Sequence, residues 1–120
     1  MDTVQIIAQW VVGLGILNVW LLRANRATAY RGGNAVNMVE EFKVYGLPKS
    51  FMYAIGTLKV IIALALIAGT WMPQWVVPAA IGLALLMAGA VLMHIKVKDT
   101  FKKTAPSIGV LLLCLLIIAV

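Results

Sequence analysis

The chain has one cysteine, Cys114, and one histidine, His94. A single cysteine inside an apolar run excludes an intrachain disulfide and a thiolate metal site. With no second histidine, no HExxH pattern and no cysteine pair, neither a metal centre nor a dithiol redox centre is expected. There is also no cofactor motif, no long internal repeat and no low-complexity linker. Acidic residues are scarce, four Asp and Glu against ten Lys and Arg, giving a formal net charge of +6. That excess does not read as a nucleic-acid surface, because the basic residues sit in short loops between apolar blocks and not in a stripe with interleaved aromatics.

What the chain has in abundance is apolar sequence: 63% of its 120 residues are hydrophobic and the mean hydropathy is +1.02, far outside soluble composition. The sequence therefore predicts an integral, all-α membrane protein, a single membrane domain over 1–120. Four apolar runs have the roughly 20-residue length that a helical crossing needs, at about 4–22, 50–69, 75–95 and 101–120. The first is preceded by Asp2 and followed by Arg23, the reverse of a signal peptide, and is expected to be retained. In the third, Ala79, Gly82 and Gly89 would permit close helix packing. The apolar core of the fourth, Ala105 to Val120, is short, so its helix is expected to begin near Thr100, with Lys102 and Lys103 snorkelling and Pro106 within its first two turns.

Between the first two spans, Ala35, Met38, Val39, Phe42 and Tyr45 recur at helical spacing, predicting a short amphipathic helix at about 35–45. Asn34 can cap its start, and Gly46 and Pro48 can end it. This helix either lies in the headgroup plane or tucks into the bundle, and both placements remain open. Between the second and third spans, Trp71 and Trp75 are placed as interfacial anchors around Pro73.

Topology follows from the basic residues. Arg23, Arg26, Arg31, Lys43 and Lys49 lie in the first loop, and Lys96, Lys98, Lys102 and Lys103 in the third. Loops 23–49 and 96–104 are expected on the cytoplasmic side, both termini outside, in a membrane of the bacterial cytoplasmic type.

Lys59 is the one basic residue that topology does not explain. It lies well inside the second span, where an ammonium costs about 2.5–3.5 kcal/mol on insertion scales and normally faces protein or water. Gly56 and Ala63 leave space beside it. Two readings stand: a cation aimed at a ligand headgroup or quinone-like carbonyl, or a structural ion pair with Glu40 or Glu41 together with snorkelling. His94, Glu40, Glu41, Tyr45 and Tyr53 fall in the same membrane half. Together with Lys59 and Gly56 they form the candidate ligand-binding set, against the plainer reading of Glu40 and Glu41 as a solvated face with Glu40 pairing Lys43. Asp99 is expected to pair with neighbouring lysines, and no catalytic residue is assigned.

The order of features from Gly46 onward carries a resemblance: a Gly-Leu-Pro lead-in, then Gly56-Thr-Leu-Lys-Val60 running to Gly69. A turn with Pro73 follows, then a small-residue helix ending in His94 with Asp99 after it, and a Leu-rich closing helix. This arrangement resembles the DoxX-like family of small four-helix membrane proteins. Many DoxX relatives have an acidic residue at the position of Lys59, whereas a DoxX-like branch has Gly-x-x-Lys, and this chain resembles that branch. The resemblance implies a four-helix bundle. The wider family includes subunits tied to thiosulfate:quinone oxidoreduction, partners of secreted superoxide-detoxifying systems and a chaperone of ligand-gated channels.

The leading reading is a binding or accessory protein that holds a lipid or quinone-like amphiphile, or docks onto a partner membrane protein, with no catalysis of its own. A quinone-linked subunit of an oxidoreductase, fed by a partner redox protein, is the alternative. A small proton-coupled exporter is weaker, since such exporters place a glutamate in the first span and this one has no charge between Val4 and Leu22. Membrane lipids are expected partners, and a homodimer through the glycine stripe is compatible with the pattern.

Overall fold

The computed structural model describes residues 2–24 and 30–120. Arg26, counted above for the first loop, lies outside the described residues. The protein is all-helical, with no strand among the described residues. Helix α1, Thr3–Leu17, opens where the Asp2 carboxylate accepts the Val4 N–H at 2.7 Å. It widens into a π-helical turn, Asn18–Leu22. Then come α2 (Met38–Val44), α3 (Lys49–Ala68), a 3-10 turn at Pro73–Trp75, α4 (Val76–Lys96) and α5 (Phe101–Ala119). Four stretches are long and apolar enough to cross a membrane: Thr3–Leu22, Lys49–Ala68, Pro73–Lys96 and Phe101–Ala119. At about 1.5 Å per residue each covers roughly the 30 Å hydrocarbon core.

The long helices pack in the cyclic order α1, α3, α4, α5, with α4 and α5 the most extensively joined pair. Their shared core holds Val12, Ile16, Ala63, Leu66, Ala80, Leu83, Cys114 and Ile117, all nearly or fully buried. Small residues at the contacts let backbones approach, which matters because lipid offers apolar side chains no reason of their own to cluster. Polar side chains of α1 add cross-links. Gln9 Nε2 donates to Leu66 O at 2.9 Å, Gln5 Nε2 to Ile117 O at 3.0 Å and Trp10 Nε1 to Thr70 Oγ1 at 2.9 Å. The outward faces are apolar, with Leu85 71% and Leu92 60% exposed. An apolar exterior over four spans makes this an integral membrane protein with the four-helix bundle that the hydropathy pattern predicts.

The amphipathic helix starts three residues later than an Asn34 cap would give. Asn37 is the cap: its backbone is extended and its Oδ1 accepts the Glu40 N–H at 2.8 Å, while Glu40 Oε2 reaches back to the Val36 N–H at 2.8 Å. This is close to a reciprocal capping box, which explains why position 37 wins. At the other end Gly46 takes φ +80°. There the Leu47 N–H meets Phe42 O and the Gly46 N–H meets Lys43 O, a Schellman motif. Met38 and Phe42 are buried against Met52, Trp20 and Ile55, so α2 is tucked against the end of the bundle.

Candidate functional site

Three local structures converge where α2 meets the bundle. First, α4 ends in a Schellman motif: Lys98 N–H donates to Ile95 O and Asp99 N–H to His94 O, both at 3.0 Å, with Lys98 in the left-handed region at φ 58°. This fold-back sets the Asp99 carboxylate beside its own helix terminus, 2.7 Å from His94 Nδ1. Second, the Schellman end of α2 turns Tyr45 inward, so that its hydroxyl donates to Glu41 Oε1 at 2.7 Å and lies 3.4 Å from His94 Nε2. Third, residues 31–33 cross this end of the bundle. Arg31 Nη1 donates to Glu41 Oε2 at 2.8 Å, and the Gly32 N–H to Glu41 Oε1 at 3.3 Å. The Gly33 N–H donates to Asp99 Oδ1 at 3.0 Å, while Lys103 donates to Gly33 O and stands 4.0 Å from that same Asp99 oxygen.

The result is a continuous polar chain, Arg31–Glu41–Tyr45–His94–Asp99, with every member's side chain largely buried. Buried polar groups persist only when satisfied, and here each carboxylate has several donors. Tyr45 feels this most. Burial, then the Glu41 charge and hydrogen bond, then Asp99 hold its phenol above the ordinary value, with Arg31 opposing. A phenol raised in the folded state stays protonated after the unfolded chain has ionised. Its contribution to stability is therefore complete below the ordinary phenol pKa and is lost as pH rises past it. Melting temperatures over an alkaline series should fall more steeply for the native protein than for Tyr45→Phe; parallel curves would contradict this.

Beside the polar chain lies a cavity of about 640 Å³. Its apolar part is lined by Ile16, Val19, Leu86, Met87, Met93 and Val110, and its polar part by Arg31, Glu41, Tyr45, His94, Lys103 and Lys59. Gly15 and Gly89 also line it, and a Cβ at either would meet nothing within 4 Å. These two glycines leave the apolar part open.

Lys59 sits ten residues into α3, about 15 Å along the helix from its start. It is only 7% exposed and lines the cavity. Its ammonium lies 5.6 Å from the Trp20 ring centroid, a cation–π contact. Among the described residues it has no hydrogen-bond or ion-pair partner. The structural ion pair with Glu40 or Glu41 does not form, because Glu41 pairs with Arg31 and Glu40 accepts the Val36 N–H just ahead of α2. Nor does Glu40 pair with Lys43.

Of the residues singled out in the sequence, the structure brings Lys59, His94, Glu41 and Tyr45 to the cavity. Glu40 is exposed on α2, and Tyr53 is 58% exposed, with Lys49 over its ring. Gly56 is buried next to the site, and its role is steric. A Cβ there would lie 2.5 Å from two Trp20 ring carbons, so only glycine lets Trp20, carried by the π-helical turn, lie against α3 and over Lys59. Gly56→Ala is expected to displace that ring and cost about 1–3 kcal/mol, as overpacking does. A lowered melting temperature with an altered near-ultraviolet tryptophan signal would show it, and an unchanged signal would refute it.

Trp20, Arg31 and Lys103 are the site residues that sequence reasoning missed. The space beside Lys59 was the available sign that something large covers it. Nothing distinguishes Arg31 from the other loop cations until residues 31–33 are seen crossing the bundle. Asp99 does approach a lysine as expected, but its close partner is His94.

The arrangement offers a buried cation and a hydrogen-bonded polar floor at one end of an apolar chamber. Among the described residues no group of three or more His, Cys, Asp or Glu stands together as a metal site. No curated protein and no solved structure matches the chain. A family model described as the DoxX-like family matches residues 16–117, from Ile16 near the end of α1 to the last core residue of α5. Since that stretch takes in the whole polar chain, Trp20 and Lys59, the chain belongs to the DoxX-like family.

Proposed function

We propose that this protein is a membrane binding protein that holds one amphiphile, lipid or quinone-like, with its head at Lys59 and its tail along the chamber between α1, α4 and α5. The observation that carries this reading is Lys59 itself: a nearly buried ammonium, without a hydrogen-bond or ion-pair partner among the described residues, lining a cavity that is otherwise mostly apolar. An unsatisfied charge inside a membrane helix is costly and marks a functional position, and apolar clefts with a few convergent polar groups are the usual form of a ligand site. On the same reading the basic loops 23–49 and 96–104 lie on the cytoplasmic side of a bacterial cytoplasmic membrane with both chain ends outside, so the head group is presented toward the cytoplasm.

Gly89→Leu tests the chamber directly, since the new side chain would project into open space. Leucine is also the better helix former, by about 0.5–1 kcal/mol, so stability should hold or rise while occupancy falls. Native mass spectrometry of protein purified in mild detergent should find an amphiphile on the native chain and lose it from Gly89→Leu, with the melting temperature no lower. Equal occupancy in the two proteins, or none in the native one, would overturn the reading.

A further inference from the structure

We infer that the head group this cavity takes is an anion, carried on a single apolar chain: a carboxylate or a phosphate monoester. This rests on the cavity being a ligand site, and goes further by fixing the sign of the ligand's charge.

The protein has four carboxylate side chains, and each is engaged. Asp2 caps α1 through the Val4 N–H. Glu40 accepts the Val36 N–H just ahead of α2. Glu41 receives the Arg31 guanidinium, the Tyr45 hydroxyl and the Gly32 N–H. Asp99 receives His94 and the Gly33 N–H and faces Lys103. Glu41 is the one carboxylate that lines the cavity with Lys59 among the described residues, yet its oxygens already accept from three donors. No carboxylate side chain is left to neutralise the Lys59 ammonium, so a charged Lys59 draws its counter-ion from outside the protein.

A neutral head would not suffice. A quinone carbonyl or an alcohol could accept one N–H of Lys59 but would leave the charge uncompensated in a low-dielectric site, where an unpaired ion is far costlier than an unpaired dipole. A cationic head is opposed by the surroundings, since Arg23, Arg31, Lys59 and Lys103 line the cavity against Glu41 alone, with Asp99 behind it. A volume of about 640 Å³ lies within the range of sites that enclose one compact ligand, which matches a single chain better than a two-chain lipid.

The test uses the full chain, stripped of lipid in an uncharged detergent, and four probes with one common tail: hexadecanoate, hexadecyl phosphate, hexadecanol and hexadecyltrimethylammonium, with a short-chain quinone as the fifth. Binding is read by native mass spectrometry and thermal shift. At least one of the two anions should bind about tenfold or more tighter than the alcohol, the scale set by a desolvated charge pair. Lys59→Met should abolish that preference with little change for the alcohol, while Lys59→Arg keeps it. Stronger binding of hexadecanoate identifies a free fatty acid as the source, and stronger binding of the phosphate a phospholipid-type head; either supports the inference. If the alcohol, the quinone or the cation binds as tightly as both anions and Lys59→Met changes nothing, the anionic head is wrong while the chamber stands. If no probe binds, the chamber reading falls and this inference with it.

Discussion

Arg31→Met is expected to lower the unfolding free energy by about 3–5 kcal/mol, the cost of breaking a buried ion pair from one side. Arg31 is 5% exposed and its partner Glu41 is nearly as enclosed, so solvent cannot screen the carboxylate left behind. The guanidinium also donates to Arg23 O and contacts Met38 Sδ, tying residues 31–33 to the end of the π-helical turn and the start of α2. Methionine fills much of the arginine stem's volume, so the loss should come from the stranded charge and the untied strap. The diagnostic is the double substitution Arg31→Met with Glu41→Gln. Removing both charges of a buried pair is often close to neutral, so the double variant should be clearly more stable than Arg31→Met alone. Thermal or denaturant unfolding in detergent micelles reads both, and strict additivity of the two changes would show that the pair does not act as one unit.

Much of the fold was legible in the sequence because the membrane imposes it. A run of twenty apolar residues has few structural options in lipid, so Val4 to Leu22 and its three counterparts declare themselves as spans. The capping of α2 was harder, since Asn34 and Asn37 are both competent N-caps and only the reciprocal bond from Glu40 decides between them. The site was half legible. Lys59 and His94 stand out because ionisable groups in or beside an apolar run are costly, which is a property of the residue and its neighbours in sequence. Trp20, Arg31 and Lys103 do not, because their roles depend on which helix faces which and on where residues 31–33 cross, and neither is encoded in local periodicity. Gly56 was selected for the space it leaves, and the structure shows that space occupied by Trp20.

Lys59→Met is expected to reverse its effect on stability depending on whether ligand is bound. In the empty protein the substitution removes a buried, unpaired ammonium whose cost is about 2.5–3.5 kcal/mol at a bilayer centre. It also removes the contact with Trp20, worth about 0.5–2 kcal/mol. The first term is the larger, so the stripped variant should be more stable than the stripped native protein, by roughly 2 kcal/mol at the middle of those two ranges. With ligand at about a hundred times its dissociation constant the native protein gains about 2.7 kcal/mol by mass action. The variant, deprived of the ion pair, should gain little. A structural lysine would behave otherwise, destabilising on removal in both states by the same amount.

That contrast is the most direct test of the claim that Lys59 is held unpaired for a ligand. Unfolding of native protein and Lys59→Met should be measured side by side, stripped of lipid and again with whichever of hexadecanoate and hexadecyl phosphate binds the native protein more tightly, at about a hundred times its dissociation constant. The account predicts that the order of stabilities inverts between the two conditions, the variant ahead when empty and the native protein ahead when loaded. A variant less stable than the native protein by the same margin in both would contradict it.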